Sequence, residues 1–104
     1  MLQEIILDEF LNMSRKHETS LLFIKERGCP FCEVAETIIE LNLEKWKSLG
    51  INFYSLSIDD FPSVPVKLGL VGVPAFLRND KMGKKRLRVG VGETEDYLSF
   101  IEKD

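Results

Sequence analysis

The sequence predicts an α/β fold in which helices cover a mixed sheet, an α/β sandwich. Short apolar runs suited to strands alternate with longer segments whose apolar residues recur at helical spacing. The resulting order is α-β-α-β-α-β-β-α. The composition, 44% hydrophobic and 30% charged over 104 residues, is that of one folded domain spanning residues 1–104, large enough to bury a core without disulfide staples.

At the start, Leu2, Ile5, Ile6, Phe10 and Met13 recur at helical spacing and predict an amphipathic helix. Ser14 to Thr19 is polar and reads as a loop. Leu21 to Lys25 is a short apolar strand, expected to be buried on both faces. From Glu33 onward, Val34, Ile38 and Leu41, with Ala35, Ile39 and Trp46, mark one side of a long helix that Gly50 is placed to end. Ile51 to Ile58 is rich in β-branched and aromatic residues and reads as a strand. Asp59-Asp60-Phe61-Pro62 is expected to start a short helix carrying Val66, Leu68 and Leu70. Ala75 to Arg78 and Arg86 to Val89 form a hairpin around Asn79-Asp80-Lys81-Met82-Gly83. Thr94 to Lys103 reads as a closing helix with Tyr97, Leu98 and Ile101 on its apolar face.

The net charge of −3 argues against nucleic acid as the main partner, because basic excess drives phosphate binding. No apolar run approaches a membrane span, and the first residues lack the basic and apolar stretches of a signal peptide. The expected location is therefore the cytoplasm. In that compartment a pair of cysteines is expected to be catalytic or metal-binding, not structural.

The chain's two cysteines form one motif, Cys29-Pro30-Phe31-Cys32, between the strand at Leu21–Lys25 and the long helix. A CxxC at a strand–helix junction points to thiol–disulfide chemistry, since it places two sulfurs one helical turn apart. Pro30 suits the first helical position, where a missing N–H costs nothing. Cys29 would face the free N–H groups and positive end of the helix, which stabilise a thiolate. Lys25 and Arg27 are expected to add to that field, with Glu26 between them. Cys29 is thus the expected nucleophile and Cys32 the resolving thiol. The alternative is half of a zinc or iron–sulfur site. A closed zinc site needs four ligands, and only His17 offers a comparable further donor within the chain, so the expected metal set is none. A metal shared between two chains and a purely packing role for the cysteines stay open.

With these residues in view, nearly the whole chain resembles the thioredoxin superfamily. Ile58-Asp59 through Val66-Lys67-Leu68-Gly69-Leu70-Val71-Gly72-Val73-Pro74 is similar to thioredoxin's Asp, helix, Lys-aromatic-Gly and Gly-Ile-Pro run. Val89-Gly90 and the segment with Tyr97 and Phe100 resemble its last strand and closing helix. The resemblance implies a thioredoxin fold in which Pro74 is the family's cis proline beside the dithiol. It also implies that Val73 pairs with an extended substrate segment in β-strand fashion, and that Pro74 keeps metal off the sulfurs.

The sequence departs from that family in informative ways. Pro30-Phe31 is similar to glutaredoxin's dipeptide, and Gly28 stands where thioredoxin has Trp. Phe23 replaces its buried Asp and Ser55 the partnered Lys, which leaves water or Glu33 to accept the Cys32 proton. Glutaredoxin's Gly-Gly-x-x-Asp glutathione motif does not follow Pro74; the nearest analogue is Gly90-Val91-Gly92-Glu93.

The reading is a monomeric reductase of disulfide-containing proteins that needs no bound cofactor. Its electron donor would be of thioredoxin-reductase type or glutathione, and Pro30, Phe31, Val73 and Pro74 would contact substrate. The alternatives are a glutaredoxin-type enzyme with glutathione as co-substrate and a non-catalytic binding module or metal carrier of the same fold. The basic cluster Lys81, Lys84, Lys85, Arg86 and Arg88 reads as a solvated hairpin, with docking to an acidic partner, or weakly to nucleic acid, as the other reading. Trp46 reads as core.

Overall fold

Side-chain alternation in three central strands decides where everything else packs. In the computed structural model, which describes residues 2–13, 18–90, 96–97 and 99–100, these are β2 (Thr19–Lys25), β3 (Ile51–Ser57) and β4 (Ala75–Asn79). A two-residue strand, β1 (Gln3–Glu4), and β5 (Lys85–Val89) complete a sheet of order β1-β3-β2-β4-β5. β1 and β2 run parallel to β3, whereas β4 runs antiparallel to both β2 and β5. The α/β architecture with a mixed sheet is thus the one expected.

Because strand side chains alternate between faces, the sheet divides two cores. Leu21, Phe23, Ile51, Phe53 and Phe76 point to one face. There they meet Cys32, Ala35, Ile39 and Trp46 of α2 (Pro30–Ser48), with Tyr97 and Phe100. Leu22, Ile24, Tyr54, Leu56, Ala75 and Leu77 point to the other. They meet Leu7 and Phe10 of α1 (Leu7–Leu11) and Val64 of α3 (Val64–Leu68). Stacked rings tie the first core together, Trp46 on Phe53 at 5.2 Å and Phe23 on Phe76 at 5.4 Å between centroids. Trp46 is core, as its place in the pattern predicts.

The first thirteen residues are not one helix. Gln3 and Glu4 pair with Tyr54 and Ser55 at the sheet edge, Ile5 N–H continues to the Ser55 carbonyl at 3.1 Å, and only Leu7–Leu11 is helical. Leu2 packs in the first core and Leu7 and Phe10 in the second. One helix could not serve opposite faces of a sheet, so the chain crosses the edge instead. On α2 the buried stripe is Cys32, Ala35, Ile39 and Trp46, while Val34 and Leu41 face solvent and Ile38 is half-buried. Val66, expected on the apolar face of α3, is exposed. The loop at Ser14–His17 and most of the Thr94–Lys103 helix lie outside the described residues; Asp96, Tyr97, Ser99 and Phe100 are helical.

Gly50 follows the end of α2 at φ 80°, a left-handed conformation that favours glycine, and its N–H returns to the Lys47 carbonyl. The basic hairpin divides in two. Lys81, Lys84 and Lys85 are exposed, whereas the guanidinium groups of Arg86 and Arg88 lie over the rings of Phe100 and Tyr97. Arg88 also donates to the Asp96 carbonyl, and the buried Arg78 donates to that of Phe100. Two of the five basic residues of the hairpin, Arg86 and Arg88, thus lie against Asp96, Tyr97 and Phe100.

Candidate active site

The segment between β2 and α2 carries the dithiol. Gly28, at φ 72°, turns the chain out of the strand, and Cys29 enters α2 as its N-cap in an extended conformation. Pro30 follows as the first helical residue. The Cys32 N–H donates to Cys29 Sγ at 3.1 Å, so the sulfur itself caps the helix. Cys29 and Cys32 are joined as a disulfide, with their Cα atoms 5.2 Å apart. The two sides of this bond differ. Cys29 is half-buried, and Pro30 and Phe31 beside it are exposed, Phe31 by 67%. Cys32 is 4% exposed and belongs to the first core.

A clamp steadies the entry to this helix. Arg27 N–H and the Ser57 hydroxyl both donate to Asp59 Oδ2 at 2.8 Å, and Arg27 Nη2 reaches Asp60 Oδ1 at 3.0 Å. The two aspartates thus hold the β2–α2 segment and do not cap α3, contrary to the sequence expectation. Lys25 and Arg27, expected to lend positive charge to Cys29, each have a carboxylate partner instead, Glu36 at 2.8 Å and Asp60 at 3.0 Å. Neither long-range pairing has a local sequence signal.

The hydrogen bond from Arg27 N–H, followed by that from Ser57, holds the Asp59 carboxyl below its ordinary value of 3.8. A depressed folded-state value stabilises the protein above the unfolded value, and this contribution is lost as pH falls through the folded one. Thermal melts across acid pH should therefore show the wild type more stable than Asp59→Asn at neutral pH, the gap closing below the ordinary carboxylate range. A gap that persists unchanged there would contradict this.

The Val73–Pro74 peptide bond is cis. Pro74 is fully buried, and its carbonyl accepts from Gly90 N–H at 2.8 Å. Val73 is half-buried, and none of the described residues hydrogen-bonds to its backbone N–H or C=O. Cys29 and Val73 both pack against the first core cluster, and Val73 packs against the second as well. Phe23, in the first cluster, is buried, and Ser55 lies opposite it in register. Among the described residues no group of three or more His, Cys, Asp or Glu could hold a metal; His17 lies outside them.

No protein-family model and no curated protein matches the sequence. Solved structures do match. A chain from the structures on the thiol-resolving mechanism of a yeast mitochondrial 1-Cys peroxiredoxin, via the glutathione and thioredoxin systems, superposes with a TM-score of 0.80. The match covers 97% of this chain and 93% of that one at 13% identity, so it speaks to the fold. In the described residues no helix is long and apolar enough to cross a membrane. The sheet order, the Cys29–Cys32 disulfide at the start of α2 and this structural match together show a thioredoxin fold.

Proposed function

We propose that the protein is a thiol–disulfide oxidoreductase that reduces disulfides in protein substrates through Cys29 and Cys32. The observation that carries this reading is the asymmetry of the pair: Cys29 caps a 19-residue helix at the surface, and Cys32 lies buried one turn inside. The Cys32 N–H and the positive helix end favour a thiolate at Cys29. That thiolate attacks a substrate disulfide, forms a mixed disulfide and expels the first substrate thiolate. Cys32, deprotonated, then attacks Cys29 Sγ. The Cys29–Cys32 bond forms, the mixed disulfide breaks, and the second substrate thiolate leaves. Two electrons pass from the sulfurs to the substrate, and no bound cofactor is needed.

Substrate binding follows from the surroundings. Pro30 and Phe31 present apolar surface beside Cys29, and the free backbone groups of Val73, held by Pro74, can pair with an extended segment of the partner. The partners in this reading are disulfide-containing proteins in the cytoplasm, with the protein recycled by a thioredoxin-reductase-type donor. A second reading, favoured by the Cys-Pro-Phe-Cys motif, makes glutathione the co-substrate in glutaredoxin fashion. The test is catalysed reduction of a protein disulfide by dithiothreitol. The wild type should accelerate it and Cys29→Ser should return it to the uncatalysed rate; equal rates for the two proteins would contradict the proposal.

A further inference from the structure

The resolving step needs the proton of a thiol that is 4% exposed to leave. The position where the resemblance would put a buried carboxylate holds Phe23, and its partner position holds Ser55; both side chains are buried and neither is a base at neutral pH. Another route lies on the flank of α2. A cleft of about 550 Å³ is lined by Cys32 together with Lys25, Glu36 and Ser57. Glu36 is four residues beyond Cys32, hence one turn along the same side of the helix. Its carboxylate is fixed by the Lys25 ammonium at 2.8 Å, and the two side chains are 31% and 29% exposed.

We propose that Glu36, positioned by Lys25, is the proton acceptor for the resolving thiol Cys32, acting through water in this cleft. The proposal rests on the oxidoreductase reading above. A polar space of this size accommodates water bridging donors and acceptors. The Cys32 thiol gives its proton to the Glu36 carboxylate, and the thiolate attacks Cys29 Sγ in the mixed disulfide. The Cys29–Cys32 bond forms as the substrate thiolate departs, and the proton on Glu36 passes to that thiolate or to solvent. When the disulfide is reduced again, the same carboxyl returns a proton to Cys32.

The remaining charges of the cleft do not replace Glu36. Arg27 and Asp60 pair with each other. Glu33 adjoins Cys32 in sequence, which turns it about 100° round the helix; it is exposed, and no described residue holds its carboxylate. Glu40 lies a further turn along α2. Glu4 of β1 and Glu26 of the β2–α2 segment complete the charged part of the lining.

The test is rapid mixing of the reduced protein with a symmetric aryl disulfide, followed by the coloured thiolate. The first thiolate appears in a bimolecular step as Cys29 attacks, and the second in a first-order step as Cys32 resolves. Glu36→Gln should slow the first-order step about a hundredfold at neutral pH. That step should become steeply faster with rising pH, as hydroxide takes over, and the bimolecular step should stay unchanged. Glu36→Asp should restore part of the rate, and Glu40→Gln, which removes the same charge from the cleft, should resolve like the wild type. A first-order rate and pH profile unchanged in Glu36→Gln would overturn the proposal, as would equal slowing of both steps or the same defect in Glu40→Gln. If the wild type releases no second thiolate at all, the oxidoreductase reading falls and this proposal with it.

Discussion

Cys32→Ser is expected to capture substrate without releasing it. The hydrogen bond that caps α2 comes from the backbone N–H of residue 32, so the substitution leaves that donor, and the N-cap position of Cys29, in place. The first attack should therefore proceed, and intact mass should show substrate joined to Cys29. A serine hydroxyl cannot resolve a mixed disulfide, so turnover of protein disulfides should fall about 10³-fold or more. Cys32 is buried in the first core, and burying a hydroxyl there costs about 1–3 kcal/mol. The assay thus belongs with a circular-dichroism check that the variant is folded. The same variant separates the two functional readings. Retained activity toward glutathione mixed disulfides, from Cys29 alone, would favour the glutaredoxin-type enzyme. Retained turnover of protein disulfides would contradict a dithiol mechanism altogether.

Phe23→Asp, which writes back the carboxylate that thioredoxin carries at this place, should cost this protein its fold. Phe23 is fully buried and stacked on Phe76, in the cluster that also holds Cys32. Losing a buried aromatic of this kind costs about 3–5 kcal/mol. The carboxylate would stand opposite Ser55 on one neighbouring strand and Phe76 on the other, with no cation in register, and an unpaired buried charge costs several kcal/mol more. Together these approach the whole stability of a small domain, about 5–15 kcal/mol. Urea titration should find the variant unfolded or with its midpoint moved far down. A stably folded variant with faster resolution would contradict this, and would show that the Phe23 site tolerates a proton relay after all.

The readable parts of the fold are those whose signals are local. Pro30 after Cys29 marks the start of α2, Gly50 marks its end, and the Asn79–Gly83 turn marks the last hairpin, because caps and turns depend on a few adjacent residues. The dithiol and Val73–Pro74 were visible as motifs for the same reason. The N-terminal segment misled because Leu2, Ile5, Ile6 and Phe10 fit a helical period, yet Leu2 serves one core, Ile5 and Phe10 serve the other, and Ile6 is exposed. A strand of two residues is too short to show a period of its own. Val34 and Leu41 are apolar residues on the solvent side of α2, which pattern alone cannot separate from core. The pairings of Arg27 with Asp59 and Asp60 and of Lys25 with Glu36 join residues distant in sequence, so only the folded chain reveals them.

In the proposed mechanism Cys29 and Cys32 act as one redox couple. Equilibrating the protein in glutathione buffers of graded potential, quenching by alkylation and reading intact mass tests it directly. A single cooperative dithiol-to-disulfide transition is expected, with a midpoint at roughly −270 to −200 mV, between the thioredoxin and glutaredoxin potentials. Two cysteines that alkylate independently, or a pair that does not change state across the accessible range, would contradict it.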